Sequence, residues 1–462
     1  MSSSSDSAPL PRRLGFWQAT ALNMIDMVGI GPFVVLPLVI HTIGGPHFLW
    51  AWILGAVISL IDALVWSELG AAYPQAGGSY NFLKIAYGEK HWGKMVSFLY
   101  VWQTMIQAPL VVASGAIGFA QYASYLIPLE GWERKAVSGG VVILITLLLY
   151  RKIESIGRIS ILLWVCVLAT LGWIIWGGLT GGTQAVSLAL PAGESLSGLF
   201  GAGLGIASVK TIYCYLGYYN VCHLGGEIRN PSRNIPLSML VSVVGIAALY
   251  LAMNWSVVSV IPWQEAQHSE FIISAVIERL YGSRAGTIAT FMVLIVAFSS
   301  LFAVLLGYSR VPYAAAADGQ FFRIFAKLHP TRQFPYVSLL FLGALGFGFS
   351  LLFRLSDVIT AILAMRIVVQ FIGQAIGLLL LHRRKQAAHF PFKMPLYPLP
   401  VLLAIAIWTF IFISTGWTFM LSGLTVIGLG IIVFIITARI RGQWPFEHTD
   451  QPVTPLVNPK KL

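Results

Sequence analysis

The stretch Tyr213-Cys-Tyr-Leu-Gly-Tyr-Tyr-Asn-Val-Cys-His-Leu-Gly-Gly-Glu-Ile-Arg-Asn-Pro231 lies within an apolar segment that runs from about 196 to 224. It places Gly217, several tyrosines and Asn220 where a membrane-spanning helix would have its middle. A bilayer offers no water to backbone N–H and C=O groups, so a spanning helix breaks only where protein or a water-filled cavity surrounds the break. The stretch therefore predicts a broken helix beside a cavity.

A second apolar segment, close to the N-terminus, is interrupted by Gly29-Ile-Gly-Pro32. At such a break the N-terminal end of one half-helix attracts anions, and the C-terminal end of the other attracts cations. Two facing breaks therefore suit the carboxylate and the ammonium of a free amino acid, with Gly29 and Gly31 allowing close approach of the backbone. Broken helices at matching places in two halves of a chain are typical of secondary transporters. The alternative is that these glycines only allow tight helix packing.

The composition is that of a polytopic membrane protein. Hydrophobic residues make up 57 % of the 462 residues and charged residues only 10 %, whereas a soluble chain carries about 25 % charged residues. The net charge of +12 comes from short loops and predicts topology, and no basic face suits nucleic acid. Cys166, Cys214 and Cys222 all lie in apolar segments, with no metal-ligand spacing and no cysteine in an outer loop for an accessory subunit.

Apolar runs of about 18 or more residues predict twelve transmembrane helices. The predicted segments are 15–41, 47–72, 92–124, 135–151, 156–178, 196–224, 235–261, 284–316, 335–353, 356–381, 397–418 and 420–440.

The first ten segments divide into two halves of similar length, each opening with a broken helix. We expect two inverted-topology repeats, followed by two extra helices. Most Lys and Arg residues fall in loops on one side, which predicts a multi-pass protein of the cytoplasmic membrane with both termini cytoplasmic. The predicted parts are a disordered tail (1–14), repeat one (15–178), repeat two (196–382), the last two helices (397–440) and a C-terminal tail (441–462).

Four motifs in order resemble the amino acid–polyamine–organocation superfamily over roughly 15–440. They are the Gly-x-Gly within Ala19 to Phe33, the stretch Ser67 to Tyr80, Gly217-Tyr-Tyr-Asn220 with Gly-Glu227-Ile-Arg-Asn-Pro231, and Gly307 to Gly319. The chain looks most like L-type amino-acid transporters and the plant polyamine-uptake branch. The resemblance implies an all-α fold of leucine-transporter type, with five-plus-five inverted repeats and helices 1 and 6 broken. It also implies alternating access around a central site formed by helices 1, 3, 6, 8 and 10.

The resemblance also assigns binding roles by position. The amides of Ile30 and Gly31 would face a substrate carboxylate, and carbonyls from Tyr213 through Tyr215 to Leu216 would face its ammonium. Tyr213 would be the outer gate and Asn220 a polar contact below the substrate. The chain departs from the amino-acid pattern in two places: Pro32 lacks an N–H, and Tyr218-Tyr-Asn220 resembles the Tyr-Trp-Asp of the polyamine branch with a neutral residue in place of the acid.

Ionisable groups at membrane depth are expensive and usually functional. Asp26 lies one turn before Gly29, so it is a candidate counter-ion for a cationic substrate or a proton carrier, or alternatively a cap for freed amides. Lys210 lies about two turns before Gly217 and is expected to neutralise Asp26 or Asp62 or to line the outer vestibule. Arg366 has no obvious acidic partner in the sequence.

The sequence predicts no cofactor, and a proton is the preferred coupling ion. Proton-coupled relatives carry a lysine midway along helix 5, but the segment 161–176 contains none. Ser299 and Ser300 are candidate sodium ligands, although transmembrane serines more often bond their own backbone, so sodium is the less favoured ion.

His223 and Glu227 are four residues apart and share a helix face. One interpretation is an inner proton gate, because histidine titrates near neutral pH. The favoured alternative is that Glu227 pairs with a loop arginine, such as Arg158 or Arg310, and holds the inner side closed.

Two main hypotheses follow for the function. The first is an L-amino-acid permease, either an exchanger or proton-coupled, and the second is a polyamine or organic-cation transporter of the same fold. The expected partners are a small-molecule substrate and the lipid bilayer. No catalytic or metal-binding cluster appears in the sequence, so an enzyme is not expected, while an amino-acid sensor that does not transport stays open.

Overall fold

The computed structural model describes residues 11–151, 153–186, 188 and 202–446. Most of the predicted tails, and the first residues of the predicted sixth segment, lie outside this part of the chain. The described residues form helices joined by short loops, and their only β-type pairings are the isolated bridges Leu14–Ile228 and Ala76–Leu224.

Nineteen α-helices are numbered here in chain order within the described residues. They are α1 (Phe16–Met27), α2 (Gly31–Ile43), α3 (Leu49–Ala72), α4 (Ser79–Ala86), α5 (Trp92–Ala123), α6 (Trp132–Leu149), α7 (Ile153–Gly181), α8 (Ala202–Tyr215), α9 (Asn220–His223), α10 (Pro231–Val260), α11 (Trp263–Ala266), α12 (Ile272–Tyr281), α13 (Ser283–Tyr308), α14 (Arg310–Ala317), α15 (Tyr336–Leu352), α16 (Leu355–Arg366), α17 (Gly373–Arg383), α18 (Leu399–Ser414) and α19 (Trp417–Arg441). A π-helical turn, Ile367–Ile372, joins α16 to α17.

The chain is a multi-pass membrane protein. Seven helices of the described residues are long and apolar enough to cross a bilayer, and the pair α1 and α2 passes the same test as one span bent by 42°. Two shorter apolar helices, α15 and α18, add to these. Helices lie within each predicted apolar segment, but the count of twelve crossings and the two repeats remain predictions.

The helix boundaries follow from local sequence. α2 ends at Gly44, whose left-handed φ of 70° lets its N–H close on the Ile40 carbonyl. α10 begins with Pro231, whose missing N–H costs nothing at the first helical position.

The broken helices lie in the middle of the bundle. α1 packs on α7, α10 and α13, while α8 packs on α2, α3 and α16. Surrounded by protein in this way, the unwound residues between α1 and α2 and between α8 and α9 are sheltered from lipid, as a break at membrane depth requires.

Candidate functional site: a cavity between two helix breaks

Break one, residues 28–30, separates α1 from α2. The Val28 N–H donates to the Met24 carbonyl at 2.9 Å and the Gly29 N–H to the Met27 carbonyl at 3.1 Å. Within the described residues the N–H groups of Ile30 and Gly31 donate to no acceptor. Because they begin α2, they carry the partial positive charge of a helix N-terminus. Break one therefore offers two amides to an anion.

The two glycines of break one are also required by packing. A Cβ on Gly29 would lie 2.6 Å from the Ser300 Oγ of α13, and one on Gly31 would lie 3.3 Å from Cε1 of Tyr213. Ser300 in turn donates to the Asp26 carbonyl at 3.3 Å. Tight packing and free amides thus occur together at break one, so the packing at these glycines does not exclude a binding role.

Break two, residues 216–219, separates α8 from the single turn of α9. Gly217 has a φ of +125°, and a Cβ there would lie 2.8 Å from the Met27 nitrogen and 2.9 Å from the Asp26 Cγ. Only glycine fits this conformation and this space. The close approach also shows that the two breaks touch each other at Gly217.

Break two leaves two backbone carbonyl groups without a hydrogen-bond donor among the described residues. Within the described part of the chain the Tyr215 and Leu216 carbonyl oxygens accept no hydrogen bond, since the next turn of helix does not form. As the last carbonyls of α8 they carry partial negative charge. They complement the free amides of break one.

Two side chains that the sequence analysis missed fix the breaks. The Tyr250 hydroxyl of α10 lies 2.7 Å from the Met27 carbonyl and 3.1 Å from the Cys214 carbonyl, and therefore joins the ends of α1 and α8. The Asn23 Oδ1 of α1 accepts the Val221 N–H of α9 at 2.9 Å. Asn23 lies in the motif stretch Ala19 to Phe33 but outside its Gly-x-Gly, Tyr250 lies in no motif, and the role of both residues is visible only from the packing of distant helices.

A cavity lies between the two breaks. The space open to the centre of a water-sized sphere is about 50 Å³. Its lining includes Asp26, Gly29, Ile30, Gly31, Tyr213, Leu216, Gly217, Tyr219, Ser300, Tyr308 and Arg366.

Most of the predicted binding residues thus share one cavity, but two of them point elsewhere. Tyr215 donates to the Trp52 carbonyl of α3 at 3.1 Å, and the Asn220 Nδ2 donates to the Ala303 carbonyl of α13 at 2.9 Å. Tyr213 lines the cavity over Gly31, and its hydroxyl lies 2.8 Å from the Ser114 Oγ of α5. This contact joins α8 to α5 across the cavity.

Arg366, unplaced by the sequence, lies in the cavity wall. Its guanidinium contacts the hydroxyl of Tyr219 and donates to that of Tyr308 at 2.6 Å. These partners come from break two and from the end of α13, so the sequence around Arg366 does not predict them.

Lys210 and Ser299 lie outside the cavity lining. The Lys210 Nζ donates to the Thr42 Oγ1 at 2.7 Å, at the end of α2, and forms no ion pair with Asp26 or Asp62 among the described residues. Ser299 donates to its own helix at the Ile295 carbonyl, 2.6 Å away. The expectation that Lys210 neutralises an acid is therefore replaced by a contact that ties α8 to α2.

Asp62 of α3 forms no ion pair within the described part of the chain. Its carboxylate accepts the Tyr218 hydroxyl at 2.5 Å and the Trp408 Nε1–H at 2.9 Å. Tyr218 follows Gly217 directly, so Asp62 holds the C-terminal part of break two against α3 and α18.

A buried ion pair lies after α9, on the C-terminal side of break two. The Arg310 guanidinium donates to both Glu227 carboxylate oxygens, at 2.9 and 3.3 Å, and the Glu227 carbonyl accepts the N–H groups of Arg13 and Leu14. His223 pairs instead with the Tyr100 hydroxyl, 3.1 Å from its Nε2. The geometry therefore favours the structural interpretation of Glu227 over a His223–Glu227 gate.

Two further ion pairs connect other helices. Lys84 contacts Asp318 at 2.7 Å, and His382 contacts the buried Glu68 at 2.7 Å. They join α4 to the end of α14, and α17 to α3.

A membrane bundle with two helix breaks beside one small cavity is typical of secondary transporters. A profile of the amino acid permease family matches residues 14–440. The chain belongs to this family, within the amino acid–polyamine–organocation superfamily, whose members act as transporters and not as enzymes.

Curated relatives are similar over most of the chain. The serine/threonine exchanger SteT of Bacillus subtilis (strain 168) is 28 % identical over 86 % of this chain and 89 % of its own length. The branched-chain amino acid permease BcaP of the same organism is 22 % identical over 95 % of this chain and 96 % of its own. Human cationic amino acid transporter 4 is 26 % identical over 76 % of this chain and 56 % of its own.

Proposed function

We propose that this protein is a secondary active transporter that moves L-amino acids across the cytoplasmic membrane by alternating access. The observation that carries the proposal is the cavity whose lining combines Ile30 and Gly31, with their free amides, and Leu216, with its free carbonyl. These groups match the carboxylate and ammonium of an amino acid. Relatives named as a serine/threonine exchanger and a branched-chain amino acid permease support a small amino-acid substrate.

The proposed architecture keeps twelve transmembrane helices with both termini cytoplasmic. Repeat one takes 15–178, repeat two takes 196–382, and 397–440 forms the two extra helices. The contacts of Glu227 with Arg310 and with the backbone of Arg13 and Leu14 then close the cytoplasmic side. Opening towards the cytoplasm requires their separation.

Asp26 is the proposed proton carrier if transport is coupled. It lines the cavity and lies against Gly217, so its charge acts on both breaks. Ser300, the candidate sodium ligand that lines the cavity, donates its hydroxyl to the Asp26 carbonyl. A proton is therefore the proposed ion, and Asp26→Asn is expected to remove a pH dependence of uptake.

A polyamine is the second candidate substrate, favoured by Asp26 and by the tyrosines of the cavity. Arg366 opposes it, because a buried guanidinium in the wall repels a dication and offsets Asp26. We therefore place amino acids first.

The testing experiment is uptake into liposomes containing the purified full-length protein. Radiolabelled serine, leucine, glutamate and putrescine are offered at two pH values, with and without sodium and with unlabelled internal substrate. Saturable uptake of an amino acid supports the proposal, whereas uptake of putrescine alone would overturn it and support the polyamine hypothesis. Stabilisation by an amino acid in a thermal-shift assay without any uptake would identify a sensor.

A further inference from the structure

Arg366 is a buried cation in the wall of the cavity. It is the last residue of α16, and only 2 % of its surface is exposed. Its guanidinium carbon lies 5.7 Å from the ring centre of Tyr219 and 6.0 Å from that of Tyr308, and it contacts both hydroxyls. The two tyrosines therefore fix the guanidinium by hydrogen bonds and cation–π contacts.

Neutral hydroxyls do not balance this charge. Among the described residues Arg366 forms no ion pair, and its Nε has no hydrogen-bond partner. A guanidinium has five N–H donors in a fixed fork, and a cation buried at membrane depth is costly without a counter-ion. Its best-matched partner is a carboxylate, which accepts two parallel hydrogen bonds. The cavity is the open side from which such a partner would come.

Asp26 shares the cavity and interacts electrostatically with the Arg366 guanidinium, but among the described residues it forms no ion pair with it. Its carboxyl carbon lies against Gly217 at break two, whereas the guanidinium lies between Tyr219 and Tyr308. In the proposed function the amides of Ile30 and Gly31 already bind the α-carboxylate of the substrate. Arg366 is thus a second anion-binding group in a cavity that needs only one for the amino-acid backbone.

We propose that Arg366 determines specificity by binding the side-chain carboxylate of acidic amino acids, aspartate and glutamate. The inference rests on the proposed function and names its substrate class. Apolar neighbours such as Val111 and Ile362 strengthen a charge–charge contact in the cavity by excluding water.

The test compares glutamate with serine in the same liposomes. Competition by each against labelled serine uptake is measured for the wild type and for Arg366→Gln. We expect the inhibition constant for glutamate to rise at least tenfold while that for serine changes less than threefold. Arg366→Lys keeps the charge but loses the fork, so it restores only part of the glutamate affinity. The matched control is Arg354→Gln, an exposed arginine just before α16, which should change neither constant.

A second variant guards against misfolding of Arg366→Gln. Tyr308→Phe removes one hydrogen bond to the guanidinium and keeps the ring, and it should weaken glutamate selectively by a smaller factor. Wild-type protein that transports serine but ignores glutamate and aspartate would overturn the inference and leave the proposed function intact. Equal weakening of serine and glutamate in folded Arg366→Gln would also overturn it. Wild-type protein that moves no amino acid would instead overturn the proposed function.

Discussion

The two helix breaks expose opposite ends of the peptide group. Break one bends the chain by 42° without any left-handed residue and leaves N–H groups free. Break two needs the left-handed Gly217, is followed by a helix of one turn, and leaves carbonyl groups free. The difference gives the cavity a positive and a negative end made of backbone alone.

The two breaks also differ in what holds them. The two glycines of break one are packed against side chains, chiefly the hydroxyl of Ser300 and the ring of Tyr213, and not against the main chain of another described helix. Break two is held by the main chain of α1, by Asn23 and by the ion pair that follows it. We infer that break two is more rigid than break one and that the ion pair at its C-terminal end holds the cavity closed. The following predictions test this ranking, beginning with the largest effect.

Loss of the Glu227 carboxylate should have the largest effect. Glu227→Gln leaves Arg310 buried with an unpaired charge, which costs about 3–5 kcal/mol, since both side chains are at most 3 % exposed. We expect a clear fall in melting temperature in detergent and loss of uptake. Asp318→Asn is the matched control, because its pair with Lys84 is partly exposed and such pairs contribute about 0–1 kcal/mol. Equal falls in both variants would contradict the ranking.

Alanine at Gly217 should come next. The positive φ costs about 1–3 kcal/mol for a residue with a Cβ, and the added atom collides with the backbone of Met27. The methyl group added by Gly29→Ala would contact the Ser300 side chain, whose hydroxyl can rotate away. The melting temperature of this variant should therefore fall less than that of Gly217→Ala. Gly172→Ala in α7 has free space and serves as the control. A Gly29 variant less stable than the Gly217 variant would reverse our view of the two breaks.

Tyr250→Phe should give the smallest of the three effects on stability. It leaves the Met27 and Cys214 carbonyls without their shared donor, at a cost of about 1–3 kcal/mol. Because both breaks lose a contact, the transport rate should fall together with the melting temperature. Tyr122→Phe is the matched control, since the hydroxyl of this buried tyrosine also contacts backbone, at Phe33 (3.5 Å) and at Ile273, but does not join the two breaks. Identical behaviour of the two variants would mean that Tyr250 does not join the breaks.

The sequence was sufficient to predict where helices lie and where they break. Long apolar runs determine helix positions, and glycine and proline mark the interruptions at Gly29 and Gly217, because both signals are local. The same reasoning listed most cavity-lining residues around the breaks, since these neighbours are fixed by the chain itself.

The partners of single polar residues were not predictable. Arg366 meets Tyr219 and Tyr308, Lys210 meets Thr42, and Tyr250 meets two carbonyls, all across large sequence separations. These contacts depend on how each helix is rotated about its axis. In helices that are apolar all round, hydrophobic periodicity gives little information about that rotation.

The pairing of the chain before α1 with the segment after α9 has a practical consequence for spectroscopy. Leu14 and Ile228 form a parallel bridge, and the Arg229 N–H donates to the Leu14 carbonyl at 2.8 Å. Arg12 and Arg229 flank this bridge and are exposed, so cysteines placed at both positions would accept a pair of spin labels. The distance between the labels would then measure directly how often the bridge opens during a transport cycle.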